Sequence, residues 1–144
     1  MTSASQAASP GDARFSRKRR ICSGSISSEI SRPVPVTLPP HGTEGLLGLP
    51  EGRAQGLVLF AHGSGSSRLS PGNMAVAEVL QQAGLATLLF DLLTEEEAAQ
   101  RSNVFDIPLL AARLAQAADW ARTHPPVLEL PLGLFGASTG SAAA

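Results

Sequence analysis

The sequence predicts an α/β fold built on a doubly wound, mostly parallel sheet. Three mainly apolar runs, at residues 56–61, 86–91 and 130–135, have the composition of strands that are buried on both faces, and the first of them is continuous. Segments with a helical spacing of apolar residues separate the runs, and two of the runs end in glycine-rich turns. Strands that alternate with helices form right-handed crossovers, which place those strands in parallel.

Two shorter strands are predicted before the first buried run. Apolar residues alternate with Pro35 and Thr37 over residues 34–38, which is typical of an edge strand that tolerates proline. Leucines at 46, 47 and 49 precede a Pro-Glu-Gly turn, and this pattern predicts a second strand.

The helices are predicted from their capping residues. Ser70 before a proline is typical of an N-cap, and Gly84 is expected to end that helix. Thr94 precedes three glutamates, residues 95–97, which we interpret as a capped turn with solvated acids. A longer helix is predicted to begin near Asp106 and to end before two successive prolines.

Composition divides the 144 residues into a leader and one domain-like segment. Residues 1–31 are rich in Ser, Ala, Gly and Arg without periodicity, which predicts a disordered basic leader, and residues 32–144 carry the fold. Residues 1–32 hold six basic and two acidic side chains, whereas the remainder holds five basic and ten acidic ones. The net charge of −1 and the lack of a long apolar run give no reason to expect a nucleic-acid or membrane partner. With a single cysteine, the protein is expected to be cytoplasmic.

Residues 136–140, Gly-Ala-Ser-Thr-Gly, match the G-x-S-x-G pattern of a nucleophile elbow. A sharp strand-to-helix turn exposes the serine hydroxyl, and the small residues Gly136 and Gly140 avoid clashes with neighbouring backbone. The pattern therefore predicts Ser138 as a catalytic nucleophile. A plain glycine-rich βα turn is the alternative interpretation.

A second glycine-rich turn, His-Gly-Ser-Gly at residues 62–65, predicts an oxyanion hole. Acyl transfer needs two backbone N–H groups aimed at the developing negative charge. We expect one from Thr139, the residue after the nucleophile, and one from Ser64, with Gly65 as its substitute. His62 precedes the serine in the chain, so we interpret it as a structural residue of the loop.

The remaining polar candidates are assigned structural roles. His41 and His124 are expected to be solvated, and Asp91 is expected to cap the turn that follows its strand.

Five segments together resemble the dienelactone-hydrolase-like branch of the α/β-hydrolases: residues 57–67, 77–80, 83–93, 105–107 and 134–140. The resemblance covers about residues 33–144 and corresponds to the first half of a family domain. It implies hydrolysis of an ester, lactone or related acyl bond by Ser138 without a metal or another cofactor. It also implies that the 57–61 strand lies between the 86–91 and 132–136 strands. The enzymes that name the family carry a cysteine at the nucleophile position, where this chain has serine.

The family's catalytic acid and histidine follow the elbow, at positions beyond residue 144. We therefore expect an N-terminal fragment, truncated after the nucleophile elbow and inactive alone. Its expected partners are a small-molecule acyl substrate and the C-terminal half of the domain.

Two other functions remain open from the sequence. The 136–140 turn is similar to the glycine-rich turn of NAD(P)-binding short-chain dehydrogenases, although those enzymes need a further glycine where Ala142 stands. A non-catalytic interaction protein that uses the basic leader or an exposed sheet edge is the third hypothesis.

Overall fold

The computed structural model describes residues 32–144, and these residues contain one five-stranded sheet with the order β1-β2-β4-β3-β5. The strands are β1 (Val34–Leu38), β2 (Thr43–Gly48), β3 (Leu57–Ala61), β4 (Ala86–Phe90) and β5 (Leu132–Gly136). β3 pairs in parallel with both β4 and β5, whereas β1 and β2 are antiparallel to their neighbours. The predicted position of the 57–61 strand between the other two is therefore confirmed. The predicted leader, residues 1–31, lies outside the described residues.

Helices cover both faces of this sheet, as the doubly wound prediction requires. The helices are α1 (Pro71–Gln82), α2 (Glu95–Ala98), α3 (Arg101–Val104), α4 (Ile107–Ala121) and α5 (Thr139–Ala143). Leu57 and Leu59 of β3 share one buried cluster with α4, while Phe60 packs in another with Ala77 of α1. Each fully buried leucine contributes about 1.5–3 kcal/mol through apolar burial. Within residues 32–144, no helix combines the length and the hydrophobicity needed to span a membrane.

The helix starts agree with the capping signals, with one difference in chemistry. The Asp106 carboxylate accepts from the N–H of Leu109 at 3.1 Å, and Thr94 forms a reciprocal capping box. Ser70 occupies the N-cap position before Pro71, but its side chain accepts no cap hydrogen bond. Helix α1 therefore begins at the expected residue without the expected side-chain contact.

Two local predictions were incomplete. Strand β2 begins at Thr43, before the leucines that predicted it, because pairing with β1 extends it toward the hairpin. The single-turn helix α3 was not predicted, since its sequence Arg-Ser-Asn-Val has no apolar periodicity.

The parallel strands bring three loops to one edge of the sheet. β3, β4 and β5 all end there, and their registers align Phe60 with Leu89 and Ala61 with Gly136. The segments that follow them begin at residues 62, 91 and 137 and meet at the carboxyl edge. In open α/β sheets this edge is where ligands bind.

Candidate active site

Ser138 lies in a strained turn between β5 and α5. Its backbone angles are φ 54° and ψ −124°, in a region that side-chain-bearing residues rarely adopt, and the residue is exposed. A β-carbon at Gly136 would lie 2.6 Å from the Ser141 Cα, and one at Gly140 would lie 2.0 Å from the Ala61 carbonyl oxygen. Only glycine fits at these two positions, so the tight turn depends on both.

The loop after β3 packs directly against this turn. A β-carbon at Gly63 would lie 2.8 Å from the Ser138 Cβ and 3.0 Å from the Ala137 carbonyl oxygen. The missing side chain at Gly63 therefore allows the loop to approach the serine. As a result, the first residues of the 62–65 turn border the space in front of Ser138.

The structure brings the two expected oxyanion-hole residues, Ser64 and Thr139, together, but the backbone N–H of Ser64 already has a hydrogen-bond acceptor. The N–H of Ser64 donates to the Thr139 Oγ1 at 3.0 Å. As the first residue of α5, Thr139 has no acceptor for its own N–H within the helix. A substrate oxygen at this place would therefore meet one open amide and would have to replace a hydroxyl to reach the other.

His62 has both ring nitrogens engaged within the loop framework. Its Nε2 accepts from the N–H of Leu92 at 3.1 Å, and its Nδ1 lies 3.0 Å from the Gly63 carbonyl oxygen. Since a carbonyl oxygen can only accept, we assign the proton to Nδ1 and treat the ring as neutral. This arrangement agrees with a structural role for His62, because the Nε2 lone pair is not directed at Ser138.

The other two of the three histidines lie far from the elbow. His41 is in the turn between β1 and β2, and β2 lies three strands from β5, about 14 Å at the usual strand spacing. His124 follows α4 and stacks on Trp120, with ring centroids 4.4 Å apart. Helix α4 leads back to the start of β5, which places His124 at the opposite edge of the sheet.

Asp91 does not cap its turn, and that prediction was wrong. Its carboxylate accepts from the backbone N–H of Arg68 at 2.8 Å and from the Arg68 guanidinium at 2.5 Å. The same guanidinium forms an ion pair with Glu44 of β2. Arg68 therefore ties the loop after β3 to β4 and β2, a role that its place in a Ser- and Gly-rich loop did not reveal.

Glu97 is not a solvated acid, in contrast to the prediction for residues 95–97. Its carboxylate accepts from the N–H of Thr94 at 2.9 Å and from the Arg113 guanidinium at 2.9 and 2.5 Å. The Arg113 hydrogen bonds, with smaller help from Thr94 and against the effect of burial, lower the pKa of Glu97 from 4.5 to about 2. The signal for this pair was present, because Arg113 lies on the apolar face of α4 between Leu110 and Leu114.

A pocket of about 360 Å³ opens between these loops, at the lower end of the range for small-molecule sites. Its lining consists of Thr139, the 62–68 loop, residues 91–93 and parts of α2, α3 and α4. Among residues 32–144, no three His, Cys, Asp or Glu side chains are grouped so as to hold a metal ion.

Solved structures similar to this one are hydrolases. A dienelactone hydrolase from Anabaena variabilis superposes with a TM-score of 0.70 and 55% sequence identity, over 78% of this chain and 53% of that protein. A serine α/β-hydrolase without a lid from Xanthomonas campestris gives a TM-score of 0.64 at 21% identity, over 78% of this chain and 54% of that one. The second likeness shows the fold alone. No family model matches the sequence.

The sheet order, the crossovers and these superpositions define an α/β-hydrolase fold. The chain is similar in sequence to the solved dienelactone hydrolase, and it spans about half of that protein. That share is consistent with the predicted N-terminal half.

Two curated Mycobacterium tuberculosis proteins, from strains CDC 1551 and H37Rv, are 56% identical to the chain over 115 residues. The match covers 80% of this chain and 24% of each relative. Both relatives carry the provisional name of a phosphoribosyl transferase. That name applies to whole proteins that are about four times as long as the segment matched here.

Proposed function

We propose that residues 32–144 form the nucleophile-bearing half of a serine-type hydrolase that acts on ester, lactone or related acyl bonds. The observation that carries the proposal is the backbone of Ser138, held at φ 54° between two glycines that no other residue could replace. Strain of this kind costs on the order of 1–3 kcal/mol and persists where surrounding structure enforces it, most often at functional sites.

In the proposed reaction, the Ser138 Oγ attacks the carbonyl carbon of the substrate and its proton passes to a general base. The carbonyl oxygen becomes an oxyanion that accepts from the N–H of Thr139 and from that of Ser64, with Gly65 as the substitute. Collapse of this intermediate expels the alcohol, which takes the proton from the base, and leaves an ester on Ser138. Water then attacks that ester, so that the acid is released and the serine hydroxyl is restored.

For Ser64 to act in this way, the substrate oxygen replaces the Thr139 hydroxyl as the acceptor of its N–H. The exchange keeps the amide hydrogen-bonded in both states, so the net cost of the switch is small. The Thr139 hydroxyl holds the Ser64 amide in place until substrate arrives.

We propose that none of the three histidines of this chain is the general base. The Nε2 of His62 is used by Leu92, and His41 and His124 lie far from the elbow. The base and its orienting acid are contributed by the C-terminal half of a hydrolase domain. The 144-residue chain alone is therefore expected to show negligible ester turnover.

The test joins the chain to the C-terminal half of the Anabaena dienelactone hydrolase and measures p-nitrophenyl butyrate turnover. Ser138→Ala in the joined protein should lower kcat by a factor of about 10³ or more. Ser141→Ala, which alters a neighbouring exposed serine of α5, is the matched control and should change kcat less than about twofold.

Two results would contradict the proposal. Turnover by the joined protein that survives Ser138→Ala would exclude Ser138 as the nucleophile. Strong turnover by the unjoined chain that Ser138→Ala abolishes would show a base within these residues, and His62 would be examined first.

Other functions have less support. The similar structures are hydrolases, and nothing in the geometry of the 136–140 turn favours a nucleotide over an acyl group. The transferase name belongs to relatives of which this chain matches a quarter, and no feature of the site favours that reaction. The cytoplasmic location and the disorder of the basic leader stay predictions.

A further inference from the structure

The pocket beside the elbow has one apolar wall. Leu92, Leu93 and Leu110 line it and are buried, and Val104 of α3 adds a half-buried side chain. Thr139, which follows Ser138 in the chain, also lines the pocket, whereas Ser138 itself does not. A group attached to a carbonyl at Ser138 would extend from Thr139 along these side chains.

The lining also contains a cation that at first resembles a receptor for a carboxylate. Arg68 is the one Lys or Arg among the described residues that line the pocket. Its guanidinium, however, already binds the carboxylates of Asp91 and Glu44. Two carboxylates of the protein therefore already neutralise the positive charge of Arg68.

The charge that residues 32–144 give to the pocket is consequently negative. Asp91 and Glu95 line the pocket together with Arg68, Glu44 adds a second carboxylate to the guanidinium, and His62 is neutral in its hydrogen-bonding pattern. A ligand carboxylate would meet like charges and would lose hydration without gaining an uncommitted cation. An apolar group would bury part of its surface in the pocket without that cost.

We propose that this pocket accepts uncharged, apolar acyl groups and rejects acyl groups that carry a carboxylate. The inference rests on the proposed function, because the pocket holds the acyl group only if Ser138 is the nucleophile. It names the substrate class of that site: esters of simple monocarboxylic acids rather than half-esters or carboxylated lactones.

The first test measures binding by the 144-residue chain, without any chemical step. Methyl hexanoate and monomethyl adipate have the same chain length, and at about pH 7.5 only the second ends in a carboxylate. Each ester is titrated while the backbone amide resonances of residues 63–68 and 91–95 are followed by NMR. Methyl hexanoate should bind at least about tenfold more tightly than monomethyl adipate.

A matched pair of charge variants then assigns the preference to the pocket. Glu95 and Glu96 are adjacent exposed acids in the first turn of α2, but only Glu95 lines the pocket. Glu95→Lys should reduce the preference for the uncharged ester at least about threefold. Glu96→Lys should leave the preference nearly unchanged, because Glu96 does not line the pocket. The two variants are matched, since both change the net charge and the interaction with the helix dipole equally.

Equal or tighter binding of monomethyl adipate would overturn the inference, and so would the absence of resonance shifts with both esters. An equal effect of the two lysine variants would also overturn it, because the preference would then come from the overall charge. The proposed function fails separately. A joined protein without Ser138-dependent turnover, with the ester preference intact, would remove the hydrolase proposal and leave the pocket's selectivity in place.

Discussion

At the scale of single residues, the site depends on places where backbone approaches backbone. The carbonyl oxygen of Ala61 and the Cα of Ser141 occupy the volumes that β-carbons at Gly140 and Gly136 would need. Interiors are packed as densely as organic crystals, so main chain cannot move aside without wider distortion. The conformation of Ser138 is thus imposed by its neighbours.

This steric account predicts the effect of adding a single methyl group. Gly140→Ala should lower the free energy of unfolding by at least about 3 kcal/mol, because its β-carbon would lie 2.0 Å from the Ala61 oxygen. Gly72→Ala in α1 is the control: nothing lies within 4 Å of the position that its β-carbon would take, and alanine should raise stability by about 0.5 kcal/mol. Urea unfolding followed by circular dichroism measures both. Equal stabilities for the two variants would contradict the account.

Residue-scale features were predictable where the chemistry is local and not where it is distant. The elbow was predicted because glycine, serine and glycine stand within five consecutive positions, 136–140. The hydrogen bond from Ser64 to Thr139 joins residues 75 positions apart, and the Arg68–Asp91 pair joins residues 23 apart. No local pattern specifies such pairs, since they depend on which strands become neighbours.

At the scale of secondary-structure elements, one ion pair attaches a short helix to a long one. Thr94 and Glu97 form the capping box of α2, and Glu97 also binds Arg113, whose side chain is 9% exposed on α4. Helix α2 has four residues, too few to be stable by itself. The contact with Arg113 therefore holds α2 at the pocket wall.

The pKa of Glu97 makes this attachment dependent on pH. Its folded-state pKa of about 2 is below the ordinary value of 4.5, so the stabilisation is present above about pH 4.5 and is lost as the pH falls toward 2. Glu97→Gln should lower the free energy of unfolding by about 1 kcal/mol at neutral pH, since a partly exposed ion pair is screened by solvent. The same variant should flatten the decline of stability below pH 4.5.

Thermal unfolding of Glu97→Gln and of the control Glu96→Gln, measured from neutral pH to acid, tests this prediction. Glu96 shares the same helical turn and is exposed, so its variant should follow the unmodified chain. Parallel pH profiles for Glu97→Gln and the unmodified chain would show that the Arg113 contact does not carry the pH dependence.

Element-scale predictions succeeded where burial is continuous. The runs that became β3 and β4 are apolar except for Thr87 of β4, and most of their side chains are buried. The β5 run, Leu-Gly-Leu-Phe-Gly, was predicted equally well, but its residues are only half-buried or exposed. The apolar pattern thus identified the strand correctly. The side chains of β5 are, however, less buried in the sheet of residues 32–144 than such an apolar sequence predicts.

At the scale of the whole molecule, the two edges of the sheet differ in character. β1, at one edge, is protected against further pairing by Pro35, which has no N–H to donate. β5, at the other edge of the described sheet, has neither a proline nor a charged residue, and Leu134 is 49% exposed. Proteins usually blunt a free edge with such residues. The uncharged, apolar edge at β5 is therefore suited to pair with a further strand.

We predict that the C-terminal half of a hydrolase domain supplies that strand, beside the one that carries Ser138. In an edge strand, alternate N–H groups point away from the sheet and exchange with solvent. Joining the chain to the C-terminal half of the Anabaena dienelactone hydrolase should slow hydrogen exchange at the outward amides of residues 132–136 by about tenfold or more. The amides of β1 serve as the internal control and should change little, because that edge lies four strands away. The same pairing would fix β5 and the elbow relative to the incoming catalytic histidine, so protection and ester turnover should arise together. Turnover without added protection at β5 would show that the second half docks elsewhere, and the pairing proposed for this edge would then be wrong.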